Sequence, residues 1–138
     1  MITAFIDCNI LLDWLLEREP FSYYATKIIE TAEKGEIKIY VSGLILANVH
    51  YIISNMKNKK IANEFIKDSL RFMHFSNLSK KSIVNSIKNL HKDFEDDLHY
   101  FTAVENKLDY IVTRNKDDFQ KDKIQVIDSE EFINLLKD

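Results

Sequence analysis

Three groups of oxygen-bearing side chains could do chemistry in this chain: Asp7 with Asn9, Asp96 with Asp97, and Asn115 with Asp117 and Asp118. Carboxylates and carboxamides are the donors that hard divalent cations prefer. Carboxylates held together repel one another unless a cation or a proton neutralises them. A Mg²⁺ or Mn²⁺ ion would neutralise such a pocket and could activate water against a phosphodiester. Each group also has a duller role open to it. Asp7 can cap a helix beginning near Asn9. Asp96 and Asp97 suit the positive end of a helix dipole. The third group can be an ordinary polar turn. On a helical wheel Asp97 lies beside Phe94, Leu98, Phe101 and Val104, and Asp96 nearer Tyr100 and Ala103, so spacing does not choose between them. The chemistry depends on whether the elements that carry these acids converge.

The elements are legible from apolar patterning. Residues 2–6 form a nearly continuous apolar run, as expected of a buried parallel strand that delivers Asp7 at its exit. A helical pattern follows from Asn9, with Ile10, Leu12, Trp14 and Leu15, until Glu17-Arg18-Glu19-Pro20 interrupts it. Ser22–Lys34 reads as a second helix, and Gly35 stands where a C-cap glycine belongs. Ile37–Val41 predicts a second strand, after which Ser42 can cap a helix through Leu44, Leu46, Val49, Ile52 and Ile53. A helix over roughly Ile61–Phe72, a short strand at Met73-His74-Phe75 and a Ser79-capped helix carrying Ile83, Ile87 and Leu90 come next. Asp96 and Asp97 open a further helix. Tyr110-Ile111-Val112 then reads as a buried strand that runs directly into Thr113-Arg114-Asn115-Lys116-Asp117-Asp118. Ile124–Ile127 is a last strand, and Asp128 or Ser129 caps a terminal helix. Strands alternating with helices predict a parallel α/β sheet with helices on both faces, and no linker or repeat divides the chain. Ligands bind such sheets beyond the carboxyl ends of the strands. If the first and fourth strands are neighbours, Asp7, Asp96 and Asp118 meet in one acidic hole.

Composition removes competing classes. At 138 residues, with 46% hydrophobic and 30% charged residues, the chain has the makeup of an ordinary globular domain. Glycine occurs only as Gly35 and Gly43, which excludes a Walker A loop, a dinucleotide-binding turn and the glycine-flanked nucleophile elbow. Cys8 is the only cysteine, so neither an internal disulfide nor a thiolate zinc site can form. A strand position between Asp7 and Asn9 would turn Cys8 to the opposite face, into the core. The formal net charge of −3 argues against a basic nucleic-acid coat protein but not against a metal-dependent nuclease. There is neither a long apolar run nor a basic leader with a cleavage site, so a cytoplasmic protein without membrane contact is expected. His50, His74, His91 and His99 form no HExxH pair, and His99 is expected to be a partly buried structural residue. Trp14, Phe21, Tyr23 and Tyr24 are expected to pack helices. Lys57, Lys59, Lys60, Arg114 and Lys116 are candidate phosphate contacts, Arg114 and Lys116 the better placed.

The stretches FIDCNILLDWLL and DFEDDLHYFTAVENKLDYIVTRNKDDF, in that order, resemble the PIN domain, the fold of VapC-type toxin ribonucleases. REPF, SGLILANVHYII and VIDSEEF fit as well, so the resemblance covers nearly all of residues 1–138 as one domain. It implies an acidic pocket with one or two Mg²⁺ or Mn²⁺ ions for RNA hydrolysis. Asp7 matches the acid of the first motif, with Asn9 beside it. Asp96 matches the acid that begins the central helix. Asn115 and Asp118 match the polar and acidic positions after the Thr-Arg exit, where Thr113 would orient water or a ligand. The resemblance thus implies Asp7, Asp96 and Asp118 as catalytic acids, with Asn115 as a further metal ligand. One position departs from the pattern: Asn48 stands where the family usually has a glutamate, which removes a charge and should weaken metal binding. Glu95 is the nearest additional acid in sequence. The function implied is a metal-dependent endoribonuclease, the toxin of a pair with a small antitoxin protein, in a dimer. The alternative is a catalytically weak module that binds RNA or a protein without cutting; a phosphatase or structure-specific DNA nuclease would use the same acids.

Overall fold

The computed structural model describes residues 1–89 and 93–137. Leu90 and His91 lie outside the described residues. Five strands, β1 (Thr3–Ile6), β2 (Lys38–Val41), β3 (Met73–Phe75), β4 (Tyr110–Val112) and β5 (Gln125–Ile127), form one sheet in the order β3-β2-β1-β4-β5. Every pairing is parallel. Ala4, Phe5 and Ile6 point alternately to the two faces of β1 and are all fully buried, so both faces of the sheet are covered. The helices that cover them are α1 (Cys8–Leu15), α2 (Ser22–Glu33), α3 (Gly43–Met56), α4 (Lys59–Ser69), α5 (Lys80–Asn89), α6 (Phe94–Glu105) and α7 (Ser129–Leu136). Among the described residues no helix is long and apolar enough to cross a membrane.

The strand order places the functional edge. From β1 the chain steps outward through β2 to β3, then returns to the other side of β1 for β4 and β5. The direction of winding therefore reverses between β1 and β4, where a parallel sheet opens a crevice beyond its carboxyl ends. Ile6 pairs with Val112 at the last rung, so the residues after both strands emerge side by side.

Local chemistry explains the boundaries. Gly35 has φ of +77°, its N–H reaches Ala32 O, and the next N–H reaches Thr31 O, which satisfies the last carbonyls of α2. Ser42 caps α3 by accepting from Ile45 N at 3.2 Å. Ser79 Oγ accepts from Ser82 N at 3.1 Å, the cap expected for α5. Asp128 rather than Ser129 caps α7, in a reciprocal box with Glu131. Two boundaries differ from expectation. Asn58 starts α4 earlier, its Oδ1 accepting from Ile61 N at 2.8 Å, and the helix tightens into a turn after Ser69. Asp93 caps α6 by accepting from Asp96 N at 3.1 Å, which leaves Glu95, Asp96 and Asp97 together in the first turn.

One polar contact crosses the fold. Asp13 on α1 is fully buried and accepts from Arg18 Nε at 2.9 Å. Arg114, just past β4, brings its Nε to 3.2 Å from the other Asp13 oxygen and lies 4.1 Å over the Phe21 ring. Asp13→Ala would empty a fully buried position and take the carboxylate from two arginines that are themselves partly exposed. Asp13→Ala is expected to destabilise the protein by about 3 kcal/mol in urea unfolding, whereas Lys57→Ala on the exposed surface leaves the midpoint unchanged.

Candidate functional site

Asp7 is held from three directions. Its N–H donates to Val112 O at 3.1 Å and continues the ladder between β1 and β4. Its Oδ1 accepts from Cys8 N at 2.8 Å, which caps α1. Its Oδ2 accepts from the buried Thr113 hydroxyl at 2.7 Å. The cap and the candidate ligand are therefore the same residue. Thr113 Oγ also accepts from Asn115 N at 3.1 Å, so Thr113 orients both the Asp7 carboxylate and the loop that follows β4.

Asp7 opens onto a cleft of about 420 Å³ that Asn9, Asn48, Tyr51, Glu95, Asp96, His99 and Asn115 also line. The walls come from the exit of β1, one face of α3 and the first turns of α6. Asp96 lines this cleft, whereas Asp97 is buried and does not. Burial pushes the Asp96 carboxyl from its ordinary 3.8 up to about 7, reinforced by the charges of Asp7, Asp93, Asp118 and Glu95. Asp118, in the 3-10 turn Lys116–Asp118, thus acts on Asp96 although it is not part of the cleft wall.

Several side chains sit differently from expectation. Arg114 is committed to Asp13 and Phe21. Lys116 Nζ lies 2.6 Å from Glu131 and 3.4 Å from Asp128 on α7. Both cations face acids of the scaffold instead of the cleft. Cys8 is not on the far face of a strand, because β1 ends at Ile6 and Cys8 opens α1; it is half-buried and lines the cleft. Burial, with Asp7 and Glu95 nearby, pushes its thiol up to about 12, so it stays protonated. His99 is buried, its ring 5.6 Å from that of Phe5, and burial lowers its pKa. Trp14 packs on Phe65 and Phe72 as expected, but Phe21 and Tyr23 are exposed.

Three participants went unread in the sequence: Asp13, Tyr51 and the contact of Glu95 with Asn48. Helical spacing offered a signal for one of them, since Tyr51 follows Asn48 by about one turn.

Among the described residues, no group of three or more His, Cys, Asp or Glu side chains is arranged to hold a metal ion as it stands. The chemistry of the donors does fit a hard divalent cation. Asp7, Asp96, Asp118 and Asn115 offer oxygen only. Their mutual repulsion, felt at Asp96, is what a cation would relieve.

The chain matches a model of the PIN domain over residues 3–117. No curated protein sequence matches it. In structure it is similar to VapBC2 from Rickettsia felis bound to a promoter DNA fragment, with TM-score 0.69, 19% identity, and coverage of 92% of this chain and 98% of that one. It is similar to DNA-bound VapBC from Salmonella typhimurium, with TM-score 0.69, 12% identity and coverage of 94% and 99%. It also resembles VapC20 of Mycobacterium tuberculosis, described as a Sarcin-Ricin loop cleaving toxin, with TM-score 0.64, 8% identity and coverage of 78% and 86%. At these identities the likeness is one of fold.

The Asp96 environment has a consequence for stability without metal. Its folded pKa lies above its unfolded value, so the proton it retains favours folding below about pH 4, and this contribution fades as pH rises through about 7. Asp96→Asn cannot ionise. In EDTA, its melting temperature should gain on that of the wild type as pH rises from about 5 to about 8, followed by circular dichroism. Parallel pH profiles for the two proteins would show that the Asp96 carboxyl is not pushed up by its surroundings.

Proposed function

The chain belongs to the PIN-domain family, and on that premise we propose that it is an endoribonuclease acting at the acidic cleft with Mg²⁺ or Mn²⁺. The observation that carries this reading is the Asp96 carboxyl pushed up to about 7 in a cleft shared with Asp7 and under the charge of Asp118. Carboxylates placed together at a switch point destabilise the fold unless something positive completes them. A bound divalent ion would lower the pKa of water and offset charge on the phosphate.

The chain's own residues would divide the remaining work. Asp7 is fixed by Cys8 N and Thr113 and presents a carboxylate that cannot swing away. Asp96 and Asp118 supply the other acids, with Asn115 and Asn9 offering carbonyl oxygens at the rim. Asn48 belongs to the opposite wall, on α3. Arg114 and Lys116 contribute indirectly, because their ion pairs anchor the segment that carries Asn115 and Asp118. The partner proposed is a small antitoxin protein, supported by the VapBC complexes of similar fold. A second reading, an RNA- or protein-binding module that does not cut, is favoured by one observation: asparagine at position 48 where the family pattern has an acid.

The two readings separate on a mixed RNA pool incubated with Mn²⁺, Mg²⁺ or EDTA. Cutting by the wild type should require metal and should fall roughly a hundredfold or more in Asp96→Asn. Asp7→Asn should lose as much and also melt lower, because an amide N–H₂ would face the donors on Cys8 or Thr113. Cutting that survives both substitutions would point to another site or a contaminant. RNA binding with no cutting by any protein would favour the second reading.

A further inference from the structure

Glu95 is an acid of the first turn of α6, and such acids usually remain in water beside their own helix end. Here it crosses to another helix. Asn48 Nδ2 on α3 donates to Glu95 Oε1 at 2.6 Å, and the same oxygen lies 3.6 Å from His99 Nε2. This bridge closes the wall of the cleft between α3 and α6 and puts a third carboxylate on a surface already lined by Asp7 and Asp96.

The cations nearest to the cleft in sequence answer other acids. Among the described residues, no lysine or arginine lines the cleft. Arg114 and Lys116, the nearest in sequence to Asn115, are paired with Asp13 and with Glu131 and Asp128. His99 is buried, packed against the Phe5 ring. A carboxylate held on a cleft wall with two others, where no lysine or arginine lines the cleft among the described residues, meets repulsion in the isolated protein. An external cation bound there would relieve it.

We propose that Glu95 is a charge-bearing member of the cation site, and that Asn48 is the positioning residue that holds it there. The assignment rests on the metal-dependent reading above. It gives Asn48 a role in which its amide N–H₂ matters and its missing negative charge is supplied from α6. The division resembles other metal sites, where an outer side chain fixes the direction of a ligand.

The test is Mn²⁺ binding to the full-length protein, followed by the electron paramagnetic resonance signal of free Mn²⁺, for wild type, Glu95→Gln, Asn48→Ala and the double variant. Glu95→Gln keeps an acceptor for Asn48 and removes only charge, so a merely structural Glu95 would leave affinity unchanged. The expected result is a loss of roughly tenfold in Mn²⁺ affinity for Glu95→Gln, with the metal-free melting temperature no lower than that of the wild type. Asn48→Ala should lose less, and the double variant should lose no more than Glu95→Gln alone, because Asn48 acts through Glu95. Equal affinity for wild type and Glu95→Gln would overturn this inference and leave the metal-dependent reading standing, provided Asp96→Asn still loses binding. Wild type that takes up no Mn²⁺ would overturn both.

Discussion

The hydrogen bond from Thr113 to Asp7 is the contact on which the site depends. It joins the residue after β1 to the residue after β4, and those two strands flank the point where the winding of the sheet reverses. Parallel pairing brings both exits to the same edge, and the rung between Ile6 and Val112 sets them level. Once Asp7 is tied to Thr113 and to the first N–H of α1, its carboxylate has little freedom left. The rest of the cleft is then defined by what α3 and α6 bring toward that fixed point.

Charge is sorted by the same geometry. Acids gather at the cleft, while the cations nearest to it are drawn to the scaffold. Arg114 binds Asp13 inside the fold, and Lys116 binds the capping box of α7. Each pair anchors one side of the segment between β4 and the 3-10 turn. The acids stay together at the cleft, where burial first and the neighbouring carboxylates second push the Asp96 carboxyl up to about 7. The cations stabilise the loop that carries the acids without neutralising the acids themselves.

Helix capping and ligand chemistry are not alternatives here. Asp7 caps α1 through one oxygen and faces Thr113 through the other. Asp93 caps α6, and so Glu95, Asp96 and Asp97 fall in the first turn, with Asp96 toward the cleft and Asp97 buried. Helix N-termini gather N–H donors and favour negative charge, so the same backbone ends that require caps are suited to hold acids near a cation. Cys8 follows from this arrangement: the helix starts immediately after Asp7, strand alternation stops, and the thiol falls beside the cleft.

What the sequence alone determined was local. All five strands, the Gly35 helix stop, the caps at Ser42 and Ser79, and a last cap at Asp128 or Ser129 were legible, because backbone hydrogen bonding and apolar periodicity act over a few residues. The acids at the strand exits were legible for the same reason, and the motif resemblance chose Asp96 over Asp97 where periodicity did not. Only the tertiary structure decided which side chains meet. Glu95 reaches Asn48 across 47 positions of chain, and Arg114, read from the sequence as a candidate phosphate contact, turns to Asp13. Long flexible side chains settle on whichever opposite charge the packed helices bring within reach, and that is a property of the sheet order and helix placement, not of the spacing between residues.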